Sequence, residues 1–177
     1  MDKKELRHKM RAQNRALSEE QRLEAGRLIC LKIEELPTFR DAQCVGFFAS
    51  LPDEPTTHEF FGRWAASRRV VLPRVEGDEM NFYEFSPQTM TEGAFGIWEP
   101  TLEARPCDVA EIDLLIVPGV AFTLGGDRMG RGKGYYDKYL SRKGFRAVKI
   151  GVCFRHQIVD ELPTEPHDVR MDGVVSD

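Results

Sequence analysis

Glycines and basic residues alternate between positions 125 and 134, in the sequence GGDRMGRGKG, and the aromatic stretch YYDKYL follows directly. Glycine has no Cβ and tolerates positive φ, so repeated glycines let backbone N–H groups converge on an anion. Arg128, Arg131 and Lys133 add positive charge where the backbone is barest. This composition favours a phosphate-binding loop, and an ordinary glycine-rich surface turn is the simpler alternative.

Neither common phosphate-binding fingerprint fits this loop. A Walker loop has Gly five residues before its Gly-Lys pair and Ser or Thr after it, whereas Asp127 and Gly134 occupy those positions here. A dinucleotide-binding loop needs Gly three residues after Gly132, and that residue is Tyr135. Phosphate binding by the loop therefore has to be judged from its place in the fold.

The flanking segments predict that place. Residues 112–118 are almost entirely apolar and indicate a central strand, residues 133–143 a helix, and residues 147–152 the next strand. Such a βαβ unit puts the loop at the carboxyl end of a strand and at a helix N-terminus, where backbone donors favour phosphate. Asp137 is then either an ordinary first-turn acid or a ligand for a magnesium ion held by phosphates.

The N-terminal region predicts two helices. Residues 2–17 show a stripe at helical spacing, formed by Leu6, Met10, Gln13 and Leu17. The cations beside this stripe form either a solvated face or a first turn that reaches a polyphosphate, and they are Lys3, Lys4, Arg7, Arg11 and Arg15. Ser18 and Gln21 make a capping box that starts the second helix.

A second strand-to-helix unit is predicted further along the chain. Residues 44–48 indicate a strand, and Thr56 with Glu59 reads as a capping box for a helix to about residue 67. The intervening loop carries Asp53 and Glu54. These acids either complement the helix dipole or hydrogen-bond the N–H donors of a substrate.

The middle of the chain predicts less regular structure. Residues 70–72 indicate a buried strand, and the alternation in residues 80–85 an antiparallel edge strand. Residues 91–106 are expected to be irregular, with exposed aromatics that either line a flat ligand's pocket or pack the loop onto the domain. In the C-terminal part, Asp168 and Asp172 share a loop and would add a carboxylate to a hard-cation site.

Composition bounds the class of protein. A chain of 177 residues with 41% hydrophobic and 31% charged residues fits a single domain spanning residues 1–177. No apolar run approaches the ~20 residues of a membrane span, so we expect a cytoplasmic protein with no membrane partner. The net charge of -4 argues against general nucleic-acid binding. The four cysteines are far apart and indicate reduced core thiols.

Taken together, the motifs resemble the 5-formyltetrahydrofolate cyclo-ligase family nearly end to end. The R-x-G-x-G-K-G-Y-Y-D core is the most specific of them. The matching segments are KKELR at 3–7, FFASLPDEPTT at 47–57, VPGVAF at 117–122, DRMGRGKGYYDKYL at 127–140 and PHDVRMDGVV at 166–175. One departure is IWEP at 97–100, where the family more often has IPEP.

The resemblance implies a three-layer, Rossmann-like α/β domain with a mostly parallel central sheet flanked by helices. It implies ATP-dependent closure of the formyl group of 5-formyltetrahydrofolate, in some cases polyglutamylated, onto N10, with ATP and Mg²⁺ as cofactors. We also expect a monomer. The residues it assigns to catalysis are Arg131, Lys133 and Tyr136.

The same resemblance distributes the ligand contacts. Magnesium would be held by Asp137 and Asp168. The substrate would contact Leu51, Glu54, Phe95, Arg131 and Tyr135. The nucleotide would contact Lys3, Lys4, Arg7, Arg128, Gly130, Arg131, Gly132, Lys133, Gly134, Tyr135, Tyr136 and Asp137.

Two other functions are compatible with the residues alone. A sugar-phosphate isomerase or related phosphate-ester enzyme would use the loop without ATP and without the basic first helix. A non-catalytic nucleotide-binding or RNA-associated module would use the basic helix and show no turnover. No other hydrolase signature occurs in the sequence.

Overall fold

The computed structural model of the chain describes residues 1–93 and 98–177 and has a seven-stranded sheet at its centre. The described helices are α1 (Lys3–Ala16), α2 (Glu19–Glu34), α3 (Pro37–Asp41), α4 (Glu59–Ala65) and α5 (Tyr135–Leu140). None of them is long and apolar enough to cross a membrane.

Seven strands form the central sheet, and four short ones form two hairpins. The sheet strands are β1 (Cys44–Gly46), β2 (Arg69–Glu76), β3 (Glu79–Glu84), β6 (Pro106–Cys107), β7 (Leu114–Pro118), β10 (Val148–Cys153) and β11 (Gly173–Ser176). The hairpin strands are β4 (Met90–Glu92) with β5 (Trp98–Pro100), and β8 (Ala121–Phe122) with β9 (Arg128–Met129).

The strand order is β11-β10-β7-β1-β2-β3-β6. The first five strands in that order pair in parallel, and β3 and β6 pair antiparallel. Parallel strands are buried on both faces, which explains the continuous apolar run of β7. The expected α/β class with a mostly parallel sheet is confirmed.

Helices cover both faces of the sheet, because side chains alternate along β7. Leu114 and Ile116 pack in the cluster that contains α2, α3 and α4, while Leu115 and Val117 pack in the cluster that contains α5. In the first cluster the Trp64 ring stacks on Phe47 with centroids 4.5 Å apart. The chain thus forms three layers, and both faces of its sheet are buried.

The helix α1 packs outside those two clusters. Leu6 and Met10 bury against Val120, Ala121 and Met129, which belong to the β8–β9 hairpin and the turn before it. The third buried residue of α1 is Asn14, whereas Gln13 is exposed, so the prediction that Gln13 continues the apolar stripe is wrong. The contact of α1 with the hairpin is what brings its first turn to the glycine-rich loop.

Three other local predictions also fail. The Thr56–Glu59 capping box is absent: α4 has His58 at its N-cap, and Glu59 pairs with Arg27 of α2 at 2.9 Å. The strand β3 is not at the edge, because β6 pairs with it. Residues 91–106 are not wholly irregular, since β4 and β5 form a hairpin there.

Two expectations on local chemistry are confirmed. Ser18 and Gln21 form the capping box of α2, with the Gln21 N–H donating to Ser18 Oγ at 3.0 Å. The cysteines Cys30, Cys44, Cys107 and Cys153 are all buried and free.

A close backbone approach joins α2 to the segment that precedes α4. A Cβ atom on Gly26 would lie 1.9 Å from the Thr56 carbonyl oxygen, so only glycine fits there. The Thr56 N–H donates to the Arg22 carbonyl at 3.2 Å. The loop that carries Asp53 and Glu54 is therefore supported directly by the backbone of α2.

Candidate functional site

A cavity of about 480 Å³ lies at the carboxyl end of β7. It collects residues from α1, from the loop after β1, from the glycine-rich loop and from the segment before β11. They are Lys3, Arg7, Glu54, Pro118, Gly119, Arg128, Met129, Gly130, Arg131, Gly132, Lys133, Gly134, Tyr135, Tyr136, Asp137, Glu165, His167 and Asp168. Ligands of parallel α/β sheets bind at this end of the strands.

The glycine-rich loop has the backbone that its sequence requires. Gly132 and Gly134 have φ values of 107° and 74°, a region that other residues rarely adopt. Gly134 is the N-cap of α5, which has only six residues instead of the predicted eleven-residue helix from 133 to 143. A helix dipole of that length is small, so anion binding here depends on backbone N–H groups and on cations.

The first turn of α1 supplies two of those cations. Arg7 Nε donates to the Gly130 carbonyl at 2.9 Å, and its guanidinium carbon would lie 3.5 Å from a Cβ on Gly132. Lys3 Nζ pairs with Glu165 Oε1 at 3.0 Å. Helix α1 therefore contacts the glycine-rich loop through Arg7 and the C-terminal segment through Lys3.

Arg128 and Tyr136 form the inner wall of the cavity. Arg128 Nε donates to the Pro118 carbonyl at 2.8 Å, and its guanidinium lies 5.1 Å from the centroid of the Tyr136 ring. Burial lowers the pKa of Arg128 and raises the pKa of Tyr136. Because this guanidinium donates to a neutral carbonyl, an anion in the cavity would be a favourable partner for it.

Two acidic residues contact Arg131 at the wall of the cavity. Arg131 Nη2 lies 2.8 Å from Asp53 Oδ1 and 3.6 Å from Glu54 Oε2. Glu54 Oε1 accepts from the Leu51 N–H at 2.8 Å. Burial raises the pKa of Glu54, although Arg131 and the Leu51 N–H oppose this rise. The pKa of Arg131 is raised, because the two carboxylates outweigh its own burial.

The predicted magnesium ligands lie close together. Asp137 Oδ1 accepts from the Val169 N–H at 3.4 Å, and Asp168 Oδ2 accepts from the Glu165 N–H at 2.8 Å. Within residues 1–93 and 98–177 no group of three or more Asp, Glu, His or Cys side chains could hold a metal by itself. Asp172 does not line the cavity; its carboxylate accepts from the Lys149 N–H at 2.8 Å.

Two of the residues that the family resemblance assigned and that the structure describes, Lys4 and Leu51, do not line the cavity. Lys4 is exposed on α1, because consecutive helical residues point 100° apart and Lys3 faces the cavity. Leu51 contributes its backbone N–H to Glu54. Phe95 lies outside the described residues. Every other residue that the family resemblance assigned to catalysis, nucleotide, substrate or metal lines this cavity.

The 5-formyltetrahydrofolate cyclo-ligase family matches residues 1–177. The chain belongs to this family. A 5-formyltetrahydrofolate cyclo-ligase of Escherichia coli K12 is 30% identical over 174 residues, which cover 94% of this chain and 96% of the relative. The protein is accordingly an enzyme of the cyclo-ligase family.

Solved structures of similar proteins carry the same family assignment. The 5,10-methenyltetrahydrofolate synthetase of Aquifex aeolicus is 35% identical, with a TM-score of 0.88 over 99% of this chain and 89% of that chain. The synthetase of Mycoplasma pneumoniae is 27% identical, with a TM-score of 0.81 over 99% of both chains. The three-layer fold is therefore that of cyclo-ligases.

The structure also shows contacts of residues to which the sequence assigned no part in ligand binding, and two of these residues, Glu165 and His167, line the cavity. Glu165 pairs with Lys3, and His167 lies 3.4 Å from Glu165 and 3.5 Å from Asp168. His156 Nε2 lies 2.6 Å from Asn14 Oδ1 and fixes the end of α1. The Pro-His-Asp tripeptide at 166–168 is a sequence feature that could have indicated His167. No local sequence pattern could have predicted the hydrogen bond between His156 and Asn14, which lie far apart in the chain.

Proposed function

We propose that the protein catalyses the ATP-dependent cyclisation of 5-formyltetrahydrofolate to 5,10-methenyltetrahydrofolate, with release of ADP and phosphate. The observation that carries this proposal is the convergence of two unlike half-sites in one cavity. One half combines glycine backbone with cations from α1 and the loop, and the other presents a buried carboxylate, Glu54. The first suits a polyphosphate and the second an N–H donor of a folate ring.

The reaction needs activation of a poor leaving group. In the proposed mechanism the formyl oxygen attacks the γ-phosphorus of ATP and ADP leaves. N10 then attacks the formyl carbon and loses its proton, and the C–O bond breaks to release phosphate. Such a route needs positioning and charge neutralisation rather than a covalent nucleophile.

Cations of the loop are proposed to neutralise the transferring phosphoryl group. Lys133 is exposed at the mouth of the cavity and Arg131 lies opposite Glu54, so the two flank the space between the half-sites. Tyr136 lies against Arg128 on the inner wall, and its raised pKa keeps its hydroxyl protonated as a hydrogen-bond donor. These three residues are the proposed catalytic groups.

The nucleotide is proposed to lie along the glycine-rich loop. Lys3 and Arg7 would contact its phosphates from α1, together with Arg128 and the backbone of residues 130–137. Lys4 is exposed outside this cavity, so its proposed part is limited to long-range charge. In the folate half, Glu54 would accept from ring N–H groups beside Leu51, and the proposal retains Phe95 and Tyr135 as ring contacts.

A magnesium ion fits the residues present. Mg²⁺ is usually held by one or two carboxylates together with substrate phosphates and water. Asp137 and Asp168 line the same cavity as the phosphate-binding loop and supply such carboxylates. When bound, the ion would supply charge neutralisation at the phosphate oxygens.

The direct test is an assay of the purified protein with 5-formyltetrahydrofolate and MgATP. We expect a product that absorbs in the near ultraviolet and ADP release that depends on the folate. Absence of both with active reagents would refute the proposal. Full activity on a phosphate ester after deletion of residues 1–8 would instead support an isomerase-like enzyme.

The remaining expectations are part of the same proposal. We propose that residues 1–177 work as one domain and one monomer, acting on a free small-molecule folate in the cytoplasm. Gel filtration with light scattering would check the oligomeric state, and a protein that is active only as a dimer would contradict it.

A further inference from the structure

We infer that Asp53 is a positioning residue, which draws the Arg131 guanidinium away from Glu54 and so keeps the Glu54 carboxylate available to the substrate. This inference rests on the proposed function and adds to it a residue that does not line the cavity. It follows from the geometry of three charged side chains at the wall between the two half-sites.

Arg131 prefers Asp53 to Glu54 in this structure. Its Nη2 lies 2.8 Å from Asp53 Oδ1 and its Nη1 3.5 Å from Asp53 Oδ2, so one edge of the guanidinium faces Asp53. Glu54 Oε2 is 3.6 Å from Nη2, which is within ion-pair range but too long for a good hydrogen bond. Asp53 therefore makes the stronger of the two interactions with Arg131.

The position of Asp53 suits an indirect role. Arg131 and Glu54 line the cavity, and Asp53 is not among the lining residues. A guanidinium has five N–H donors in a rigid fork, so an edge held by Asp53 leaves other donors for a phosphate. The Asp53 side chain is 13% exposed and that of Arg131 is 36% exposed, so Asp53 is the better buried partner of the pair.

The Glu54 carboxyl group keeps one oxygen that can accept from a substrate. Its Oε1 accepts from the Leu51 N–H at 2.8 Å, which fixes the carboxyl group. Its Oε2 lies beyond hydrogen-bonding distance of Arg131. A buried carboxylate without a full complement of donors gains from new N–H donors. Without Asp53, the nearest carboxylate for Arg131 is Glu54, and the two would pair directly.

The first test is steady-state kinetics of Asp53→Asn with 5-formyltetrahydrofolate and MgATP. Loss of a charge-assisted hydrogen bond predicts a fall in kcat of about 10-fold and a rise in the folate KM of similar size, with the MgATP KM within about 3-fold of wild type. Asp53→Glu restores a carboxylate and is expected to recover part of both losses. A matched control is Glu59→Gln, which removes the carboxylate from the bidentate Arg27 pair and should leave the kinetics unchanged.

A second readout needs no substrate. Carbon-13 NMR of glutamate-labelled protein follows the titration of the Glu54 carboxyl group. In Asp53→Asn the pKa of Glu54 should fall, because a neighbouring negative charge is lost and Arg131 moves onto Glu54. A merely structural loss of the loop would also lower the pKa of Glu54 by exposing it, but only toward the ordinary value of a glutamate, whereas direct pairing with Arg131 should take it below that value.

The outcomes separate this inference from the proposed function. Wild-type protein that is inactive with formyl folate and MgATP would refute the proposed function, and the Glu54 titration would still test the Asp53 contact. Active wild type together with Asp53→Asn kinetics like those of wild type would overturn the Asp53 role alone. An unchanged or raised Glu54 pKa in Asp53→Asn, or an Asp53→Glu enzyme as slow as Asp53→Asn, would also overturn it.

Discussion

Charged side chains at the two ends of the parallel strands have different kinds of partner. At the amino end, the Asp113 carboxylate accepts from the N–H groups of Gln43 and Cys44, both at 2.9 Å, and from Arg146 at 2.7 Å. At the carboxyl end, Arg7 and Arg128 donate to backbone carbonyls of the cavity wall. The Asp113 charge is paired with Arg146, whereas the guanidinium groups of Arg7 and Arg128 donate to neutral carbonyls, so the first end should control stability and the second activity.

The largest expected effect is at the carboxyl end. Lys133→Ala should lower the rate of phosphoryl transfer about 10²–10³-fold, because a cation that meets the transferring group is lost. Since Lys133 is exposed, the free energy of unfolding should stay within about 0.5 kcal/mol of wild type. Single-turnover kinetics and urea denaturation measure the two quantities. Unchanged turnover would remove Lys133 from the mechanism.

At the amino end we expect a loss of stability with activity unchanged. Asp113→Asn should lower the free energy of unfolding by about 2–3 kcal/mol, because the negative charge is lost and Asn keeps only one acceptor oxygen for the donors that now bind both carboxylate oxygens. The folate and MgATP kinetics of the folded variant should match wild type. A variant that is equally stable but slow would show that the two ends are not separate in function.

The stability difference of Asp113→Asn should also depend on pH. Burial acts to raise the pKa of Asp113, but Arg146 and the N–H groups of Cys44 and Gln43 outweigh it, so the folded-state pKa is lowered. Its contribution is therefore complete above the unfolded-state pKa of about 3.9 and is lost as the pH falls through the lower folded-state value. Urea denaturation of both proteins between neutral and acid pH should show the difference shrinking below about pH 4. A difference that grows on acidification would contradict this.

A smaller effect is expected for the cation supplied by α1. Arg7→Ala should raise the MgATP KM about 10-fold, because one charge-assisted contact to phosphate is lost. Arg11→Ala is a suitable control, since Arg11 is exposed on the same helix and does not line the cavity. Equal effects of the two variants would mean that α1 acts only through its total charge.

The smallest effect is expected far from both ends. Glu59→Gln removes a bidentate ion pair with Arg27 whose side chains are 46% and 47% exposed. Exposed pairs of this kind contribute little to stability, so the temperature of thermal unfolding should hardly change. A larger loss would show that the contact between α2 and α4 limits the stability of the fold.

The sequence predicted the elements whose signals are local. The apolar run before Pro118 and the glycine spacing up to Gly134 located the central strand and the loop. Helical phase grouped Lys3, Lys4, Arg7, Arg11 and Arg15 on one face of α1, and of these only Lys3 and Arg7 line the cavity. The Ser18–Gln21 capping box also needs only residues that are three apart.

What the sequence missed depends on contacts between distant segments. The pattern at Thr56 and Glu59 fits a capping box. In the structure, however, Arg27 of α2 pairs with the Glu59 carboxylate, and the backbone carbonyl of Arg22 accepts from the Thr56 N–H. Asn14 and His156 are 142 residues apart, and their hydrogen bond follows no spacing rule. Asp53 was read with Glu54 as one acid pair, and only the position of Arg131 distinguishes the two.

The contact of Gly26 with Thr56 has a consequence for redesign. A loop held by side chains can be moved by repacking them, but this one lies against the bare backbone of α2, where a Cβ would come within 1.9 Å of a carbonyl oxygen. Any larger residue at Gly26 must push the segment after Glu54 outward. A single substitution at Gly26 would thus disturb the segment after Glu54 from outside, with every residue that lines the cavity left intact.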